Sequence, residues 1–352
     1  LGYTVISFQA LLLSVPYFIF NKKKDVIMNR FVVVGMILLF SVSFAPVDLL
    51  AQEGPTYAER LGFPADARVV IFHNDDVGLC HEANEASMRG VQEGLITSWS
   101  VMFPCAWVPE IRDFLKEHPE TCSGVHLTLT SEWDKYRWRP ISCVESYPGL
   151  ADPDGYLWDN VRLVAEHATA DEIEAEIRAQ IATAEKLGMP ITHLDTHMGT
   201  VFATDEYLMR YVSVGIEKQI PVLLPGGHMS LLCKEDPDMK EKVDVIRVIA
   251  ASLWESGLPV IDDVHTDSYG WKDADKSDKF VALLPDLKPG ITQVIIHATV
   301  PSDNFAQISD SNIKRGGDYH AMMSPKLKEA IEKEGIILTS WRELIERRKA
   351  VK

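Results

Sequence analysis

From Val69 onward the chain alternates short apolar runs with longer stretches of helical periodicity. Residues 69–74, 98–103, 124–129, 192–195, 221–224, 259–262, 293–297 and 336–339 read as eight strands. Between them, 82–93, 109–118, 170–187, 205–218, 239–256 and 324–334 carry helical spacing, several entered through an acidic or Ser/Pro cap. Strand and helix in alternation predict a parallel sheet with crossover helices. The fold expected is therefore α/β, a TIM-like and irregular (β/α) barrel, with an open doubly wound sheet as the alternative. Residues 131–167, rich in Trp, Pro, Asp and Gly, break the rhythm and read as an insertion over the barrel mouth. Long loops of that kind usually serve as lids or binding loops.

The N-terminal part is of another kind. Residues 31–44 form an apolar run behind Asn29-Arg30, with Pro46 and Ala51 beyond it, which reads as a signal peptide cleaved after Ala51. The run is shorter than the roughly 20 residues needed to span a bilayer, so no stable span is expected in the mature chain. Residues 1–27 hold a second apolar stretch and precede Met28, and we read them as an upstream extension; a first transmembrane helix is the alternative. The expected organisation is a leader over 1–51 and a single catalytic domain over 52–352, exported to the periplasm or secreted.

Composition narrows the partners. The net charge is −16, and Lys22, Lys23, Lys24 and Arg30 outweigh Asp25 and Asp48 by two over the first 51 residues, leaving −18 for the body. A body so acidic repels phosphate backbones, which excludes nucleic acid. The five cysteines show no metal-binding spacing and read as mostly buried free thiols.

Four places carry candidate chemistry. Asp75 and Asp76 stand side by side where the first strand ends, next to Gly78; a cation would relieve their repulsion, and capping of the next helix is the plain alternative. His126 lies within the third strand, where a lone histidine is ordinarily a core residue. His193, Asp195 and His197 share one face if the segment stays extended, supplying imidazole ligands and a carboxylate to orient one of them, or else a buried polar network. His297 closes an apolar run, a position that suits either a catalytic or a structural histidine. Asp75, Asp76, His126, His197 and His297 all fall in or just after different expected strands, the rim where barrel active sites form.

In these residues the sequence resembles the YdjC/ChbG family of carbohydrate deacetylases, whose pattern runs D-D-x-G, G-x-H-x-x-L-T, H-x-D-S-H and a late histidine. The matches are Asp75 to Gly78, Gly124 to Thr130, His193 to His197, and His297. Thr196 replaces the serine, Met198-Gly199-Thr200 stand where further histidines often follow, and Ala298-Thr299 replace Pro-Gly. The resemblance implies Asp76, His126 and His197 as ligands of a divalent ion, zinc or magnesium. It implies Asp75 as catalytic base and His297 as proton donor in a metal-dependent hydrolase acting on N-acetylated sugars, with a homodimer left open. Trp133, Trp138 and Trp158 then read as sugar platforms or as packing, and Arg137 or Arg139 as hydroxyl or carboxylate binders. The rival functions are a metal-dependent esterase or phosphoesterase and a sugar-binding protein without turnover.

Overall fold

The structure, a computed structural model, describes residues 54–351, so the expected leader and its cleavage site lie outside the described residues. Seven strands form one sheet: β1 (Arg68–Val77), β2 (Ser98–Val101), β3 (Ser123–Leu127), β4 (Leu194–Thr196), β5 (Asp263–His265), β6 (Gly290–Ile296) and β7 (Ile337–Leu338). The order is β4-β3-β2-β1-β6-β5, every pairing is parallel, and β7 pairs with β1. The protein is thus a mostly parallel α/β fold with a curled sheet, as the alternation of runs predicts.

The helices are α1 (Tyr57–Arg60), α2 (His81–Gln92), α3 (Val108–Glu117), α4 (Val161–His167), α5 (Ala170–Lys186), α6 (Asp205–Lys218), α7 (Ser230–Glu235), α8 (Val243–Glu255), α9 (Ser277–Leu283), α10 (Phe305–Ile308), α11 (Asn312–Met322), α12 (Pro325–Lys333) and α13 (Trp341–Ala350). Local chemistry sets their starts. Thr169 and Glu172 form a reciprocal capping box at α5, and Ser324 accepts from Leu327 N ahead of Pro325 at α12. Among the described residues no helix is long and apolar enough to cross a membrane.

The strand expected at 221–224 does not form a ladder. Pro221 and Pro225 have no N–H to donate, and the segment makes only isolated parallel bridges, Leu194 with Val222 and Pro225 with Ile261. The strand expected at 259–262 starts instead at Asp263. At the other end of the chain, Thr339 N donates to Val70 O while Thr97 N donates to Phe72 O. Alternate residues of a strand bond to the same side, so β7 occupies the same edge of β1 as β2 and does not extend the sheet past β6.

Side-chain alternation divides the core into an inside and an outside. Val69, Ile71, Ile261, Val264 and Ile291 pack with Trp341 and Leu344 inside the curl. Val70, Phe72, Val294 and Ile296 face α2, α9 and α12 on one outer side. Trp99, Val101, Val125 and Leu127 face α3, α5 and α6 on the other. With apolar cover on both faces, these strands read as continuous hydrophobic runs. The C-terminal α13 buries Trp341 completely, and its indole donates to Gln293 Oε1 at 2.8 Å.

Candidate metal centre

Each functional side chain sits where a strand gives out. In β1 the ladder to β2 shifts register between Asn74 and Val77, and Asp76 takes φ 64. That left-handed backbone is uncommon outside glycine and costs about 1–3 kcal/mol. The bulge turns the Asp76 carboxylate toward His126 on β3. β4 ends at Thr196, and Met198 (φ 53) and Gly199 (φ 67) turn the chain sharply after His197. His193 and Asp195 share the inner face as expected, with His193 Nε2 3.9 Å from Asp195 Oδ2, and the turn follows only after His197. Asp195 and His197 reach the centre, whereas His193 lies behind it, stacked on Trp341 with ring centroids 5.4 Å apart and edge-on to His73 at 4.8 Å.

Asp76, His126 and His197 each offer a ligand atom, all within 4.8 Å of one another. Asp76 Oδ1 lies 3.2 Å from His126 Nε2 and 3.1 Å from His197 Nδ1. The two imidazoles present opposite nitrogens, and each is braced from behind by a carboxylate. His126 Nδ1 meets Asp195 Oδ1 at 2.8 Å, and His197 Nε2 meets Glu132 Oε2 at 3.0 Å. An ionised carboxylate can only accept, so each braced nitrogen carries the proton and the other keeps its lone pair for a cation. His126 Nε2 is buried without an aligned hydrogen bond, which a divalent ion among these donors would satisfy.

Electrostatics favour the same occupant. Burial opposes ionisation of Asp76, but the Arg315 guanidinium, with Nη2 2.7 Å from Oδ2, and His197 hold its carboxyl well below the usual range. Burial works likewise against Asp195, and His126 and His73 overcome it; His73 Nε2 stands 2.7 Å from Asp195 Oδ2. The surplus of carboxylates reverses the usual effect of burial on the imidazoles. Despite desolvation, Asp75 and Asp195 raise His126 well above its ordinary value, and Glu132 and Asp76 raise His197 to about 9. A site that draws protons so strongly is short of positive charge, and one carboxylate oxygen with two imidazole nitrogens is a donor set that leaves coordination positions open.

Asp75 is directed differently. Its Oδ2 lies 3.9 Å from His126 Nε2 and 3.8 Å from His297 Nε2, and burial pushes it up to about 7. His297 follows β6 directly, packs against Tyr269 at 4.6 Å, and is held neutral chiefly by burial. Sequence reasoning missed Arg315 and Glu132. Arg315 is 2% exposed, with Trp133 and Tyr269 rings 5.5 and 5.3 Å from its guanidinium carbon. The Arg-Gly-Gly-Asp run in a helix was the available signal for it, and Glu132 had none beyond its place in the insertion.

The insertion is pinned to the scaffold: Glu176 on α5 accepts from Ile141 N and Ser142 N at 3.0 and 2.8 Å. Trp158 stacks on His167 at 4.0 Å and serves packing. Trp138 donates to Thr130 O and stands 6.3 Å from His197. Tyr136, Trp138, Arg139 and Tyr156 help to line a cavity of about 410 Å³. Arg137 is occupied by Ser131, Asp152 and Leu157 O. All five cysteines are free, as expected, and Cys80, Cys105 and Cys122 are buried.

Comparison with known proteins gives a consistent picture. The profile of the YdjC-like protein family matches residues 69–333. A carbohydrate deacetylase from Thermus thermophilus is 32% identical over 276 residues, 78% of this chain and 92% of that protein. Another from Thermoanaerobacter pseudethanolicus is 24% identical, covering 78% of this chain and 98% of its own. Among solved structures, an Enterococcus faecalis V583 protein provisionally assigned to cellobiose-phosphate cleavage superposes with TM-score 0.64 at 22% identity, over 79% of this chain and 99% of that one. At that identity the likeness speaks for the fold.

Proposed function

The chain belongs to the YdjC-like protein family, and from that premise we propose that it is a metal-dependent hydrolase removing acetyl groups from N-acetylated sugars or oligosaccharides. The observation that carries the reading is the convergence of Asp76, His126 and His197, three ligand atoms within 4.8 Å, beside Asp75. The relatives named as carbohydrate deacetylases support the substrate class.

Asp76, His126 and His197 would hold the ion, and their mixed oxygen and nitrogen donors suit zinc better than magnesium. When bound, the ion supplies a Lewis acid that acidifies water and polarises an acyl carbonyl. Asp75 Oδ2 takes the proton of the attacking water, and burial, which raises its affinity for that proton, fits it to the task. Asp75 passes that proton to His297, whose Nε2 lies 3.8 Å away and whose ring burial keeps neutral at rest, and His297 hands it on to the departing amine nitrogen. Asp195 and Glu132 keep the two imidazoles in the ligating tautomer, and Arg315 fixes Asp76. Trp133, half-buried and edge-on to Trp138 at 5.9 Å, offers a face to a sugar ring.

Two finer readings belong to the same proposal. The isolated bridges at Val222 and Ile261 support a sheet that continues from β4 toward β5 as a barrel. The apolar run at 31–44 supports export of the mature chain, and N-terminal sequencing of the exported protein tests it. For the activity, the test is acetate release from a panel of N-acetylated oligosaccharides, lost on chelation and restored by zinc. A metal-loaded protein that releases no acetate from any of them overturns the proposal.

A further inference from the structure

One wholly buried ion pair joins three segments behind His297. Lys276 Nζ lies 2.9 Å from Asp318 Oδ1 with both side chains at 0% exposure, and it also donates to Ser268 O at 2.8 Å. Asp318 Oδ2 accepts from the His297 backbone N–H at 3.1 Å. Ser268 Oγ donates to Ile295 O, tying the turn that carries Tyr269 to the end of β6. Asp318 sits one turn beyond Arg315 on α11, so a single helix holds Asp76 with one side chain and the main chain of His297 with another.

The sequence of α11 is shaped for this approach. A Cβ on Gly317 would come within 2.1 Å of Asp273 O and 3.0 Å of Lys276 Cγ, and one on Gly316 within 2.5 Å of Pro301 Cγ. Each glycine inside a helix costs about 1 kcal/mol against alanine, and here the pair lets the helix touch both neighbouring loops. Stability alone does not account for the ions, because burying two charges costs several kcal/mol each and an apolar pair of similar volume generally serves as well.

We propose that Lys276 and Asp318 are positioning residues for proton delivery, holding His297 at the end of β6 so that its Nε2 faces Asp75 Oδ2. The role of His297 in this scheme rests on the deacetylase reading; the tether itself does not. Loss of the tether moves the proton donor and leaves Asp76, His126 and His197 in place.

The test compares an N-acetylated oligosaccharide with 4-nitrophenyl acetate, whose phenolate leaves without a proton. In Lys276→Met, kcat on the amide falls about 100-fold, the scale of a misplacement of roughly 1 Å. KM stays within about twofold, zinc content is unchanged and ester hydrolysis is kept. Lys276→Gln, which retains an N–H donor, restores part of the amide rate. Equal loss on both substrates, or undiminished amide turnover, overturns the proposal. The double variant Lys276→Met/Asp318→Leu leaves no unpaired ion and no acceptor for the His297 N–H, and serves if the single variant does not fold. A wild type inactive on acetylated sugars defeats the deacetylase reading alone, because hydrogen exchange at the His297 amide still reads the tether. That exchange is expected to quicken at least tenfold in the double variant with β1 amides unaffected, and an unchanged rate overturns the proposal.

Discussion

Asp195 Oδ1 stands 2.8 Å from His126 Nδ1, and this contact decides which nitrogen of the ring faces Asp76. Replacing the carboxylate by an amide lets the 195 side chain donate where it now accepts, and the ring can then turn its protonated nitrogen toward the cation site. Asp195→Asn is expected to weaken zinc binding by about 10- to 100-fold, as loss of a histidine's supporting carboxylate commonly does. Competition with a chromophoric chelator measures it, and wild-type affinity would count against the assigned tautomer.

Metal binding should appear as stabilisation. An ion that binds the folded chain alone adds about 2.7 kcal/mol when its concentration is 100 times Kd. Thermal melts with zinc are therefore expected to shift upward in the wild type and to stay flat in Asp76→Ala and His197→Ala. A shift that survives both substitutions would place the ion elsewhere.

Asp75 lies outside the ligand triad, so its substitution should separate chemistry from binding. Asp75→Asn is expected to lower kcat by about 100- to 10,000-fold, the usual contribution of a positioned base, while zinc content stays at the wild-type level. Stopped-assay kinetics with metal analysis on the same sample distinguishes this from loss of the ion.

Asp318 gives the protein an inverted pH response at one position. Burial raises its carboxyl to about 6 against the opposing pull of Lys276. The folded state thus holds this proton more tightly than the unfolded chain does. The stability contributed by the neutral form is complete below about pH 3.8 and is lost as pH rises through about 6, a change of about 3 kcal/mol at 1.36 kcal/mol per unit. Urea denaturation of wild type and Asp318→Asn at pH 4 and 7 measures it, the difference moving toward the variant at the higher pH. Movement the other way would contradict the assigned shift.

Most of the fold was legible because burial on both faces writes strands as apolar runs, and helices such as 170–187 and 205–218 show both periodicity and caps. The segment around Pro221 misled because apolar content does not reveal missing N–H donors. The ligand triad was visible as polar residues where apolar runs stop. Period-two reasoning put His193 on the inner face beside Asp195 but does not say which level of the strand meets the metal centre, and His193 lies one level behind it against Trp341. Arg315 and Glu132 were hidden for another reason. Their roles come from tertiary approach: Arg315 lies on α11, far from any strand end, and Glu132 stands in the insertion just after β3, with no motif around it.

The Asp76–Arg315 contact ties the first strand to a helix close to the C-terminus, with a consequence for biosynthesis. A ribosome releases Asp76, His126 and His197 long before Arg315, so the nascent protein owns every proposed ligand while one of them is still unanchored. Completion of the centre therefore waits on the synthesis of α11. A product terminated just short of α11 would retain those three side chains yet lack the guanidinium that holds Asp76 in place.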